Sequence, residues 1–234
     1  MKIYQHSTLL ALMGGLYQGT LPLKELLKQG NLGIGTLDDI DGELIVLEGK
    51  AYQATSENIV REVNDEELIP YAAVAQHQAT LSFELNGEKS LEEIKNIIEE
   101  KMASENLFYS IKISGKFSKM HVRMVPKQER PYTKAFIEVA ANQPEYKKVN
   151  QSGTIVGFYT PALFHGVSVE GFHLHFLNDS RDFGGHVLDF ESQSIQIELG
   201  VADELVQHFP VKDEGFLNAK FDIDKLKADI VEAE

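Results

Sequence analysis

The sequence predicts an α+β protein, in which strand-rich blocks are flanked by a few helices. Apolar residues alternate at period two over several stretches, the signature of half-buried strands. Segments of helical period stand beside these blocks but do not recur between every pair of strands, as a doubly wound α/β sheet would require. No internal repeat or low-complexity run interrupts the 234 residues, so residues 1–234 read as a single unit. A unit of this size can be built in two halves, about 1–145 and 146–234. The polar stretch Asn142-Gln143-Pro144-Glu145-Tyr146-Lys147-Lys148 is the weakest boundary between them.

From the N-terminus, Ser7 is placed to cap a short helix that runs to Met13 and stops at Gly14-Gly15. Pro22 precedes a second helix, Leu23 to Lys28, ended at Gly30. Period two then takes over at 32–37 and 43–47, and the turn Glu48-Gly49-Lys50 leads into a strand at 51–54. Two further strands are expected between Tyr71 and Leu85. Ser90 to Met102 is the clearest amphipathic helix, with Ser90 as cap and Leu91, Ile94, Ile97, Ile98 and Met102 at helical spacing. Leu107 to Ile113 and Met120 to Val125 read as a hairpin about a turn centred on Gly115, and Pro131 to Ala141 as a helix. Strands follow at 155–159, 167–177, 185–190 and 194–199. A last helix, Asp222 to about Glu232, carries Leu226, Ile230 and Ala233 on one side, an apolar face suited to docking on the body of the protein.

Composition narrows the function. Hydrophobic residues make up 43% of the chain, enough for a core that needs no disulfide or metal staple. The formal charge of −14, with no basic stripe against it, repels phosphate backbones and anionic lipid. With no cysteine, thiol nucleophiles, Fe–S clusters and cysteine-based zinc sites are excluded. No apolar run approaches the roughly 18 residues of a membrane span, and Met1 to His6 lacks the apolar core of a signal peptide. The expectation is a cytoplasmic protein acting on a small molecule, with neither nucleic acid nor membrane as partner.

The strongest local signal is Gly171-Phe172-His173-Leu174-His175-Phe176, followed by Gly184-Gly185-His186. Residues two apart on a strand share a face, about 7 Å apart at Cα. His173 and His175 are then neighbours, while Leu174 and Phe176 turn into apolar packing. Asn178 to Asp182 reads as a loop, and Gly184-Gly185 lets the chain return with His186 on the adjacent strand. Three imidazoles with an open fourth position are the usual ligand set of a catalytic zinc site; three strand histidines that hold no ion are the alternative. His6, His77, His121, His165 and His208 lack such company and are expected at the surface. An iron cupin would want a Glu shortly after His-x-His, and 176–183 has none. Neither a phosphate loop nor a nucleophile elbow is present. Arg123, set among Val122, Met124 and Val125, is either a fork for a substrate carboxylate or an edge-strand arginine facing water. Glu43, after Asp41-Gly42, reads on its own as a solvated carboxylate at a turn.

In their order along the chain these segments resemble the α-acetolactate decarboxylase family. The likeness begins at Tyr4-Gln5-His6-Ser7-Thr8 and runs through Gly33-Ile34-Gly35-Thr36-Leu37 to Asp38-Asp39-Ile40-Asp41-Gly42-Glu43-Leu44. It continues with Asn106-Leu107-Phe108-Tyr109, the Arg-x-x-x-x-Gln-x-x-Pro-Tyr pattern at 123–132, and Gly153 to Phe158. It is most specific at 171–176 and 184–186. The resemblance implies zinc on His173, His175 and His186, Arg123 and Glu43 as catalytic residues, and Thr36 lining the substrate site. A second catalytic glutamate falls on Glu234, or on Glu232 if the register slips. It further implies a two-part fold of mixed sheets, commonly dimeric. The implied reaction is decarboxylation of 2-acetolactate (2-hydroxy-2-methyl-3-oxobutanoate) to acetoin through a metal-stabilised enediolate, a step of acetoin and butanediol biosynthesis. Two other classes fit the same histidines: a zinc-dependent hydrolase, and a non-catalytic metal- or ligand-binding module on this scaffold.

Overall fold

The structure, a computed structural model, describes residues 1–233, with side chains through Ile230. The described elements, in order, are β1 (Lys2–His6), α1 (Leu9–Met13), β2 (Leu21–Pro22), α2 (Leu23–Leu27), β3 (Leu32–Thr36), β4 (Glu43–Leu47), β5 (Lys50–Ala54), β6 (Val60–Glu62), β7 (Leu68–Ile69), β8 (Tyr71–Ala75), β9 (Leu81–Ser90), α3 (Leu91–Lys101), β10 (Phe108–Arg123), α4 (Phe136–Ala140), β11 (Glu145–Thr160), β12 (Gly171–Asn178), β13 (Gly184–Ala202), β14 (Glu204–His208), α5 (Glu214–Asn218) and α6 (Ile223–Ala233).

Two sheets carry the fold, in keeping with an α+β reading. One has seven strands in the order β14-β1-β8-β3-β4-β5-β6, and it is mixed, because β1 pairs in parallel with β14 and antiparallel with β8. The other has five antiparallel strands. There β11 joins β10 to β12 and β13 also pairs with both β10 and β12, so four strands close on themselves and β9 lies along β13. The five-stranded sheet draws strands from both sides of residue 145, and β14 returns the chain to the seven-stranded sheet.

The sequence of β4, Glu-Leu-Ile-Val-Leu, explains how the sheets stack. All five residues are buried, as expected of a strand covered on both faces. Ile45 and Leu47 point into the core shared with the five-stranded sheet, beside Ile111, Ile155 and Phe176. Leu44 and Val46 point the other way, under Leu23 and Leu26 of α2. Burying each such side chain is worth about 1.5–3 kcal/mol. A third core gathers Leu9 and Leu12 of α1, Phe136 and Val139 of α4, and Leu226 and Ile230 of α6. The apolar side of the last helix thus docks as its spacing predicts. No helix among the described residues is long and apolar enough to cross a membrane.

Several elements differ from the sequence reading. Residues 108–123 form one continuous strand, not a hairpin. Gly115 sits between β11 and β13, and a Cβ there would collide with the Ser194 carbonyl; the glycine permits close approach and makes no turn. Segments 185–190 and 194–199 are likewise one strand, kinked by a register shift between Ser192 and Ser194. Helix shrinks from 131–141 to Phe136–Ala140, because Arg130 and Tyr132 reach back to Asp39 at 2.8 and 2.5 Å. Thr8, not Ser7, caps α1, accepting from the Ala11 N–H at 3.2 Å. The N-terminal residues form β1 in the interior of the larger sheet, which buries His6 completely. Its ring nitrogens lie 2.8 Å from His208 Nδ1 and from Thr20 Oγ1. The His77 side chain is buried too, 2.7 Å from Ser110 Oγ. Neither is the surface histidine that the sequence suggests.

Candidate active site

Strand register assembles two groups of side chains and the stacking of the sheets brings them together. In β12, His173 and His175 share a face while Leu174 and Phe176 enter the core. Pairing of β12 with β13 sets His186 across from His175, and pairing of β10 with β13 sets Arg123 across from His186. On the facing sheet, Thr36 of β3 lies across from Glu43 of β4 and from Tyr71 of β8. The two groups are tied by hydrogen bonds between sheets. His175 Nδ1 donates to the Leu44 carbonyl at 2.9 Å, and the Val125 N–H donates to Glu43 Oε1 at 3.0 Å.

The first of these bonds fixes a tautomer. A carbonyl oxygen only accepts, so Nδ1 of His175 carries the proton and Nε2 presents a lone pair. That nitrogen is buried without a hydrogen-bond partner among the described residues. It faces Glu43 Oε2 at 3.4 Å, which makes two acceptors opposed in a buried site. A cation beside them relieves that conflict. His173, His175 and His186 offer ligand atoms all within 4.8 Å of one another, and their ring centroids are 5.0–5.5 Å apart. Burial pushes His175 down to about 4, and it holds His173 and His186 well below the ordinary imidazole value. The positive charge of Arg123 pushes all three the same way. They are therefore neutral near pH 7, the form that ligates a metal. The donor set fits one divalent ion, with nitrogen ligands of the kind zinc takes.

Arg123 ends β10 with Nη2 3.4 Å from His186 Nε2, so its guanidinium stands at the rim of the histidine cluster. Thr36 donates through Oγ1 to the Gly42 carbonyl at 2.7 Å, which holds the turn that presents Glu43. Glu43 is 8% exposed and is not the solvated turn-end carboxylate that its local sequence suggests. These residues line one cleft with Tyr71, Gln143 and an apolar wall that includes Leu9, Leu12, Ile40 and Phe136. The sequence gives no sign of Tyr71 or Gln143: the first is one aromatic in a strand, the second lies in a stretch that reads as a boundary. The wall comes from α1, α4 and the turn before β4, segments that only the fold brings together. Glu234 lies outside the described residues, as does the side chain of Glu232.

Residues 3–223 match the family model described as alpha-acetolactate decarboxylase. A curated relative of that name from Lactococcus lactis subsp. cremoris is 54% identical over 233 residues, covering 100% of this chain and 98% of that protein. A Staphylococcus aureus crystal structure described as a protein of unknown function similar to alpha-acetolactate decarboxylase superposes with a TM-score of 0.97 at 46% identity, over 100% of both chains. Alpha-acetolactate decarboxylase from Bacillus subtilis superposes with a TM-score of 0.96 at 34% identity, covering 100% of this chain and 99% of that one.

Proposed function

The chain belongs to the alpha-acetolactate decarboxylase family, and we propose that it converts 2-acetolactate to acetoin with a zinc ion held by His173, His175 and His186. The observation that carries the metal is the buried, unprotonated Nε2 of His175 facing Glu43, within reach of two more neutral imidazoles. Zinc bound there would supply a Lewis acid for the negative charge that develops beside the ketone as CO2 departs. The remaining work belongs to side chains. Arg123 offers a planar fork for the substrate carboxylate and orients it for cleavage. Glu43, held by the Val125 N–H, keeps one oxygen directed toward the histidines, where it can position the substrate and pass on a proton. The apolar wall excludes water, so the charge of Arg123 acts in a weakly screened site. Thr36 holds the turn beneath the substrate. We assign the second catalytic carboxylate to Glu234, with Glu232 as the alternative.

Acetoin formation would place the enzyme in acetoin and butanediol biosynthesis, acting in the cytoplasm as a homodimer. Purified protein mixed with racemic acetolactate should release CO2 and acetoin, with zinc near one equivalent per chain by elemental analysis. Ester hydrolysis without CO2 release would return the hydrolase reading. Metal binding without turnover of either kind would return the binding module. Glu234→Gln should lose turnover with the fold intact and Glu232→Gln should be nearly silent; the reverse pattern moves the assignment to Glu232. Sedimentation of the pure protein tests the dimer.

A further inference from the structure

We propose that Gln143 is a specificity-determining residue whose side-chain oxygen accepts a hydrogen bond from the 2-hydroxyl of the bound acid. Among the described residues, two buried side-chain atoms without a hydrogen-bond partner belong to residues that line the cleft: His175 Nε2 and Gln143 Oε1. A metal accounts for the first. The second is a carboxamide oxygen cut off from water, and such an acceptor is costly to leave unmet. Its backbone is held on both sides. The Gln143 N–H donates to the Ala140 carbonyl at 3.3 Å, closing α4, and the next carbonyl, Pro144, accepts from the Met124 N–H at 3.2 Å, one residue beyond Arg123. The main chain at Gln143 is therefore fixed beside the strand end that carries Arg123, and the side chain does not hang from a loose loop.

The chemistry of the substrate selects the partner. A 2-hydroxy-3-oxo acid offers four acceptor oxygens, two on the carboxylate, one on the ketone and that of the hydroxyl, but a single donor, the hydroxyl proton. An amide oxygen can pair only with that donor. Glu43 is engaged by the Val125 N–H on one oxygen and faces His175 with the other. Sites built to bond a hydroxyl reject analogues that lack it, because the buried protein group is then stranded. Gln143 would so favour 2-hydroxy acids over their deoxy counterparts.

This inference rests on the decarboxylase reading for the identity of the ligand, and its test does not depend on turnover. Two acids that cannot lose CO2, because the ketone is replaced by an alcohol, serve as probes: 2,3-dihydroxy-2-methylbutanoate and 3-hydroxy-2-methylbutanoate, which lacks the 2-hydroxyl. Their dissociation constants are measured by calorimetry on zinc-loaded wild type and on Gln143→Leu. The wild type should prefer the dihydroxy acid, and the preference should fall about fivefold or more in the variant, with metal content and melting temperature unchanged. Gln143→Met replaces it if the leucine variant does not fold. An unchanged preference, with both acids weakened equally, would make Gln143 a wall residue and overturn the inference. Failure of the dihydroxy acid to bind wild type overturns it as well. A wild type that binds both probes but makes no acetoin refutes the decarboxylase reading instead, and leaves the hydroxyl preference standing or falling on its own numbers.

Discussion

Arg123 and Glu43 can each be separated from a merely structural role by a conservative change. Arg123→Lys keeps the charge and loses the planar fork, so kcat/KM should fall more than tenfold while zinc stays bound. Wild-type kinetics in that variant would return Arg123 to an ordinary strand-end cation. Glu43→Gln keeps an acceptor for the Val125 N–H, so the fold and the Leu44–His175 bond should persist. Loss of the negative charge should slow turnover by about tenfold or more and reduce the chiral purity of acetoin, both readable by chiral chromatography of timed samples. His6 supplies a prediction away from the site. Burial, then the neighbouring His208 ring, pushes it down to about 4 from its ordinary 6.5. The unfolded chain therefore takes up this proton first as pH drops. The contribution is intact above 6.5 and is lost as pH falls toward 4, on the order of 3 kcal/mol in all. The stability gap between wild type and His6→Gln, from urea unfolding, should shrink across that window. A constant gap would show that His6 protonates in the folded state as easily as in the unfolded one.

At the scale of elements, the site depends on how closely strands approach. Gly157 of β11 lies across from Leu174, and a Cβ there would collide with the His173 carbonyl. The obstacle is backbone, so β12 would have to move and carry its two histidines with it. Gly157→Ala should cost about 1–3 kcal/mol and lower zinc occupancy as well. Equal thermal stability with full metal content would show that the strands can part without disturbing the ligands. Local pattern made several elements legible: the Ser90–Glu93 capping box of α3 is present in full, and the alternation in 171–176 places both histidines on one face. Pattern failed where a strand outran its local signal. Gly115 reads as a turn when seen along the chain, yet it is a point of close contact once β11 and β13 flank it.

For the whole molecule, the metal would be held by three histidines of the five-stranded sheet, while the three apolar cores contain none of its ligands. Chelation should abolish acetoin formation and lower the melting temperature by several degrees, yet leave the far-ultraviolet circular dichroism unchanged. Zinc present at a hundredfold over its dissociation constant stabilises by about 2.7 kcal/mol. Collapse of the dichroism on chelation would mean that the ion is needed for folding itself. The sequence alone determined the α+β class, the two-residue spacing of His173 and His175, and the return of His186, because strand periodicity and glycine-assisted reversals are local properties. It also carried its family, through motifs spread from Tyr4 to His186. Only the tertiary structure decided that Glu43 is buried, that the Leu44 carbonyl leaves His175 Nε2 unprotonated, and that Gln143 lines the same cleft. Each of these depends on contacts between residues far apart in the chain, where β4 and the turn after α4 meet strands β10, β12 and β13. Periodicity records which side of a strand faces inward; it holds no information about what waits there.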